Sequence, residues 1–575
     1  MPQVSLVSLL ELDTSAEIAV CLDFKDLQSL LLVCRAAQES VIRDTFLLRA
    51  LVILPPVKPQ ELTLCATFRT EIRERLTAFH LSEGRDVETV VTAYPRLTQI
   101  RLTETYCTTD GIAKLVDAPL LAELHLNKLS YVDTSPLGQL SLLKHLDLTG
   151  TVFVGELNAF IQLKVLVLDH TEVESIAFVT DMLQLEDLRL RNTSHLVDLS
   201  PLGLLGEHHC LASLDLSDKW DLDLVPLIEG SLPHTLRQLR VEGCVLCESD
   251  MELHEVFAAF TRLEVLSLDD TAPYGIEPHD WTMSCVTLRV LDIRDWKVED
   301  ITFLSECSQL EVLGINLTHA LPLDILVALG RLVNLRDLTV EGGRVHDILE
   351  ALPSLRSLSC VGNINWHSRT SYATGEAVAV TASSLRPHQA LERICLPKFE
   401  EYSDMERLAP NIKHLEVQQT LSYRRLHELL AWPALRSLRI TGERLPRNLV
   451  PIVVNALRSL EVLCINDEAP TQNPIKLKAC SSRKIMALTL RNSRSFTADA
   501  LFELTALETL DLSGWGVFKY AEALQRSSGL PHLRAITIDR TTSCAWLKAL
   551  AATKLPMLVK IFHPEGNCRW NPSCC

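Results

Sequence analysis

The sequence predicts an α/β solenoid: a curved parallel β-sheet with short helices or 3₁₀ turns on its convex side, preceded by a small helical segment. Three observations predict it. A unit of apolar residue, two variable residues, apolar residue, one variable residue and a third apolar residue recurs along the chain. Most steps between copies lie between 20 and 27 residues, the period of a stacked repeat. A short hydroxyl residue recurs three positions after the third apolar residue.

The copies run from Leu97/Ile100/Leu102 through Leu146/Leu148, Leu188/Leu190, Leu239/Val241 and Leu415/Val417 to Leu533/Ile536/Ile538. Leu76/Phe79/Leu81 is a degenerate first copy and Leu558/Ile561 a truncated last one. The second and third apolar residues are two apart, so they point to one face of a short strand, and the residue between them points to the other. One such strand cannot bury its apolar side, whereas stacked neighbours build a continuous core.

The hydroxyl position holds Thr105, Thr151, Thr171, Thr193, Thr271, Thr318, Thr420 and Thr541, with Cys244, Asn363 and Ser493 elsewhere. Buried turn backbone needs partners, and a short polar side chain supplies one. With the copies quoted, the pattern resembles the irregular, Thr-bearing leucine-rich repeats of protozoan and bacterial proteins. The resemblance covers residues 61–563, and short repeats leave room only for brief helices or 3₁₀ turns on the return arm. Asp133-Thr134-Ser135-Pro136-Leu137-Gly138 and Asp198-Leu199-Ser200-Pro201-Leu202-Gly203 echo one another on that arm. From Leu355 to Leu391 the step widens to 36 residues, and the excess, near 362–388, is expected to project as a loop.

Residues 1–53 lack the repeat and read as helices. Thr14 and Glu17 have capping-box spacing. Leu27, Leu30, Leu31 and Cys34 make a helical stripe. Asp44 is placed to cap a helix carrying Leu47, Leu48 and Leu51. A Pro-rich joint, 54–60, ends the pattern, and 564–575 reads as a tail. The run Leu12, Ile18, Leu22, Asp26-Leu27, Leu30, Val33-Cys34-Arg35, Asp44 and Leu47-Leu48-Arg49 resembles a degenerate F-box. It departs from that family where Leu12-Asp13 replaces the usual Leu-Pro and where the Trp after Val-Cys-Arg is absent. A helical cap over the first repeat's open edge is the other reading of this segment, and the two are compatible.

Composition narrows the function. The 575 residues are 47% apolar, too many for a disordered chain, and 73 acids against 55 Lys and Arg leave a formal charge of −18. Phosphate binding needs a basic footprint, so no nucleic-acid partner is expected. Charges break every apolar run well before a membrane span, the N-terminal stretch lacks a basic leader, and no membrane association is expected. Seventeen Cys, mostly single within apolar runs, point to a reducing compartment, the cytoplasm or alternatively the nucleus.

No phosphate loop, metalloprotease motif or nucleophile elbow is present, so no enzyme activity, cofactor or metal is expected. Glu207-His208-His209-Cys210 lies one repeat before Cys244-Val245-Leu246-Cys247, close enough to suggest zinc, but the spacing fits no finger pattern and Cys244 has a turn to serve.

Function is then expected from a surface. On the concave face, Arg189 and Arg191 make a small basic pair beside Arg240. Val265, Val290 and Val312 recur at one outward position as an apolar docking strip, flanked by Asp269 and Arg294. Outward Val also simply suits a parallel strand. Mixed charge points to a protein partner read by complementarity. The F-box resemblance implies a substrate receptor of a cullin–RING ubiquitin ligase. In that role Leu22, Leu27, Leu30, Val33 and Leu47 would present the surface for a Skp-type adaptor. The alternative is a scaffold or assembly factor using the same solenoid without ubiquitin chemistry.

Overall fold

In a computed structural model, the described residues run unbroken from 109 to 246, and in shorter segments from 78 to 103 and from 253 to 562. Residues 1–77 and 563–575 lie outside them, and with them the F-box-like segment, its adaptor-facing Leu22, Leu27, Leu30, Val33 and Leu47, and the tail. The chain divides into two units, Met1–Trp296 and Lys297–Cys575.

In the first unit every described copy of the repeat forms a short parallel strand without register slip. The second apolar residue of each copy pairs with that of the next: Leu124 with Leu146, then Leu166, Leu188, Leu214, Leu239, Leu266 and Leu291. Each is buried to 1% exposure or less. The degenerate first copy joins the same ladder, with Phe79 beside Ile100 and Leu81 beside Leu102.

The backbone fixes this register at both ends of each strand. At the entry, one carbonyl accepts two N–H groups from the following repeat: Lys144 O from Lys164 and Val165, Lys164 O from Glu186 and Asp187, Glu186 O from Ala212 and Ser213. At the exit, the residue two beyond the third apolar position turns left-handed: Lys128, Gly150, His170, Asn192, Asp218, Gly243 and Asp270 have φ between 52° and 64°. Gly, Asn and Asp tolerate that region best, which explains most of this column. Its N–H groups donate to the next repeat, as from Asn192 to Ser217 O and from Asp218 to Glu242 O.

The hydroxyl position closes the turn as its chemistry requires. Thr171 and Thr193 donate to the carbonyls of Leu168 and Leu190 at 2.6 and 2.7 Å. Thr151 donates across to Leu126 O at 2.5 Å and accepts from the Leu129 N–H at 3.0 Å, and Thr271 donates to Val241 O. Cys244 does the same work with its thiol, donating to Leu216 O at 3.2 Å. All five are buried. Thr105, Thr318, Asn363, Thr420, Ser493 and Thr541 fall outside the described residues.

The return arms carry 3₁₀ helices at Ser135–Gln139, Leu157–Ala159, Ala177–Asp181 and Val225–Ile228, and one-turn α-helices at Ser200–Gly203 and Leu232–Thr235. The echo noted in sequence is a capped start. Asp133 and Asp198 each accept the N–H of the Ser two residues on, at 2.9 and 2.8 Å, and hydrogen bonds from that Ser's hydroxyl and then from its N–H hold both carboxyls below the usual range. Asp223, accepting from the Val225 N–H at 2.9 Å, is a third copy without the Ser. The Gly that follows lets the next arm close in. A Cβ on Gly203 would stand 2.7 Å from Pro226 O, and one on Gly230 would stand 2.3 Å from Gly203 O. Because backbone cannot step aside as a side chain can, Gly230→Ala is expected to cost about 1–3 kcal/mol of stability in urea unfolding.

In the second unit the strands from Val312–Asn316 to Lys560–Phe562 stack in the same parallel register, Leu313 beside Leu338 and so on to Ile536 beside Ile561. Two of its return arms hold eight-residue α-helices, Leu323–Gly330 and Leu449–Ala456, the short helices expected there. The 36-residue step is an excursion between neighbouring strands, since Ser357 pairs directly with Arg393. The expected loop contains an antiparallel pairing of Ser368–Thr370 with Ala377–Ala379. Among the described residues no helix is long and apolar enough to cross a membrane.

Candidate functional site: the outward face of the first unit

Leucines fill the inner side of each strand, so the alternate side chains form three columns on the other side, most of them half-buried or exposed, with His125, Val167, Ser217 and Ser267 buried. A parallel sheet is ordinarily covered on both faces, and here polar side chains, with Val165, Val167, Val265 and Val290 among them, line the second one.

The Arg189 and Arg191 pair is not a free basic patch. Arg189 lies on its own strand neighbour, Asp187, with Nε and Nη2 3.1 and 2.9 Å from Oδ2. Arg191 reaches Asp218 of the next repeat at 2.6 Å, and its backbone N–H donates to Asp169 at 2.9 Å. Arg240 differs: it is exposed, stands between Asp215 and Ser267 in register, and makes no ion pair among the described residues. Of these three, Arg240 is open and Arg189 and Arg191 are held.

The acids decide the character of the face. Asp187 gives one oxygen to Arg189, while Oδ1 is buried and meets no donor among the described residues. Burial raises the Asp169 carboxyl, and Asp215 and Asp147 add to the rise against the Arg191 N–H and Arg189. Burial would raise Asp147 too, but hydrogen bonds from His125, Thr149 and Asn127 outweigh it and hold that carboxyl far below its usual range. His125 meets Asp147 at 3.1 Å and stacks obliquely on His145, ring centroids 4.8 Å apart. Burial, then His125, lowers the His145 pKa, with Glu123 and Asp147 opposing.

The valine strip divides between the units. Val265 and Val290 are half-buried neighbours in the first unit, in register. Val312 begins a strand of the second unit and is also half-buried. The flanking charges are paired: Arg294 bonds to Asp292 at 2.8 Å and to Asp269. Ser267, in register between Arg240 and Asp292, donates to Glu242 at 2.7 Å.

The suspected His/Cys pair is used otherwise. His209 is buried between the Ser231 hydroxyl at 2.9 Å and the Leu211 N–H at 3.1 Å, and burial lowers its pKa. Cys244 closes its turn, and Cys247 lies outside the described residues. Among the described residues no group of three His, Cys, Asp or Glu side chains is placed to hold a metal.

One polar residue escaped the sequence reading altogether. Lys219 occupies the hydroxyl position of its repeat and is 3% exposed. Its Nζ donates to Thr193 O at 2.9 Å, to Thr193 Oγ1 at 2.6 Å and to Leu196 O at 3.3 Å. Burial pulls its pKa down to about 8, against a small rise from Cys244.

Unslipped apolar register defines the architecture of both units, and the left-handed exit column and buried turn ladder add to it in the first. Each unit is a leucine-rich repeat solenoid. No protein-family model matches the chain, and no curated protein matches it. Among solved structures it is similar to an internalin from Listeria monocytogenes, at 16% identity over 67% of this chain and 89% of that one, TM-score 0.32. It is also similar to a leucine-rich repeat protein of Leptospira interrogans, at 17% identity over 82% and 98%, TM-score 0.32. A plant peptide hormone receptor in complex with RGF2 is similar at 13% identity over 81% of this chain and 62% of the receptor, TM-score 0.27.

Proposed function

We propose that the protein is a non-catalytic recognition platform that holds a protein partner on the outward face of its strands. The observation that supports this is the columns themselves: successive repeats present side chains in fixed register, with Arg240 open and Val265 and Val290 half-buried beside it. Such a face selects by charge and shape complementarity along its length rather than by one pocket. The F-box resemblance of residues 1–53 supports a finer reading, a substrate receptor of a cullin–RING ubiquitin ligase. Leu22, Leu27, Leu30, Val33 and Leu47 would meet a Skp-type adaptor, and the ligase's other subunits would supply the chemistry. Cytoplasm or nucleus is the compartment this requires.

The test is affinity purification of the full chain with identification of what co-purifies. Adaptor and cullin are expected with the full chain and absent when residues 1–55 are deleted. Arg240→Glu is expected to keep the adaptor and weaken the substrate at least tenfold. A stoichiometric partner held equally well without residues 1–55, and no adaptor in either sample, would make the protein a scaffold or assembly factor. Failure of Arg240→Glu and Val265→Asp alike to weaken any partner overturns the outward face as the binding surface.

A further inference from the structure

The return arms carry a second feature, away from the strand columns. A cavity of about 560 Å³ opens between the arms of two successive repeats, residues 152–158 and 172–181. That volume falls in the range of small-ligand sites, which run from about 300 to 1,000 Å³. Two half-buried aromatic rings, Phe153 and Phe178, line it. Four exposed carboxylates, Glu156, Glu172, Glu174 and Asp181, stand around it, and no basic side chain is among the lining residues. Glu156 takes a hydrogen bond from Asn158 at 2.8 Å. Among the described residues none of the four acids forms an ion pair, although elsewhere in this unit carboxylates are regularly paired, as Glu186 with Lys164 and Glu264 with Arg237.

The wall is preformed. Both the N–H and the hydroxyl of Thr134 donate to Val154 O, at 2.9 and 3.0 Å, which fastens one arm to the repeat before it. Gly155 turns there with φ of 104°, and a Cβ would stand 2.7 Å from the Ser135 hydroxyl oxygen, so only glycine lets the arm pass this close.

Aromatic faces attract cations through the ring quadrupole, carboxylates attract them through charge, and the apolar remainder of the wall suits an alkyl chain. We infer that this cavity binds the alkylammonium or guanidinium group of a cationic ligand, its methylene stem against Phe153 and Phe178 and its head among Glu172, Glu174 and Asp181. The chemistry is shared by a lysine or arginine side chain on an extended peptide and by a free polyamine.

Isothermal titration of the full chain separates these sources. The probes are a short unstructured Lys/Ser peptide, the same peptide with every lysine acetylated, and spermidine. Saturable 1:1 binding is expected for the lysine peptide or for spermidine, weakening as salt is raised, and none for the acetylated peptide. The lysine peptide alone binding assigns a protein-borne cation, and spermidine alone binding assigns a free polyamine. Glu172→Gln with Glu174→Gln is expected to weaken binding tenfold or more, and Phe178→Leu several-fold. Glu207→Gln, an exposed acid elsewhere in the unit, is expected to leave it unchanged. No saturable binding of either cation at millimolar concentration overturns the assignment. So does equal binding by the acetylated peptide, or binding that the cavity variants leave intact. Acetylation removes the charge from the probe, so this arm holds whatever a substitution does to the fold.

Discussion

Replacing Leu188 by Ala is expected to lower the unfolding free energy by about 3–5 kcal/mol, the range for a leucine whose cavity cannot close. Leu188 is wholly buried, and its strand neighbours in the ladder are Leu166 and Leu214, themselves buried to 1% or less. Collapse would require one of those strands to move. The paired N–H groups at Lys164 O and Glu186 O, and the turn bond of Thr193 to Leu190 O, hold both sides in place. In a solenoid each repeat touches mainly its neighbours, so the loss falls on two interfaces at once and propagates as weakened coupling between the segments on either side. Urea unfolding measures the total, and hydrogen exchange locates it: amides of 165–167, 187–189 and 213–215 should lose protection before those nearer the ends of the unit. Leu183→Ala supplies the contrast. That leucine is 47% exposed in the turn before the same strand, and its loss should fall within about 0.5 kcal/mol. A shift below about 1 kcal/mol for Leu188→Ala would mean that the ladder relaxes freely, contrary to the fixed register.

The parts legible in the sequence are those that repetition enforces. Leu188 and Leu190, two apart, had to share a face, and the same offset in every copy left one register in which all of them bury. Thr151, Thr171, Thr193 and Thr271 were readable for the same reason, because each closes the same turn. The left-handed column was equally periodic, with Gly150, Asn192, Asp218, Gly243 and Asp270 at one offset, but Lys128 and His170 obscure it. Charge pairing was not legible. Whether Arg191 is free depends on a rotamer that carries it to Asp218 of the next repeat, and spacing does not encode that choice. Within the stretch expected to project as a loop, the pairing of Ser368–Thr370 with Ala377–Ala379 was not legible, since three-residue strands are too short to show an alternation. Lys219 was missed because lysine is ordinarily a surface residue, so its place in the turn column carried no signal by type.

That misplaced lysine gives the second large effect. Thr193→Val preserves volume and removes one oxygen, and it is expected to cost about 2–3 kcal/mol, because a buried charged donor loses an acceptor while Leu190 O loses its donor. The two losses separate in a double-mutant cycle with Lys219→Met. With no ammonium left to satisfy, Thr193→Val should cost only about 1 kcal/mol, so the pair should show a coupling of about 1–2 kcal/mol. The pH dependence gives an independent reading. The folded-state pKa of Lys219 is about 8 against an ordinary 10.5, so between these values the unfolded chain binds more protons than the folded one, and stability rises with pH. Below about pH 8 the full cost of the buried charge is present. By about pH 10.5 it is relieved, a change of roughly 3 kcal/mol if the shift is realised in full. Burial raises the neighbouring Cys244 thiol to about 11, which works in the opposite direction above pH 9. The quantity to measure is therefore the difference between the parent and Lys219→Met, with Cys244 common to both. That difference should climb from pH 7 to 10 in favour of the parent. A flat difference would mean that the three oxygens around Nζ already offset the burial of its charge, leaving Lys219 as a structural cation of ordinary basicity.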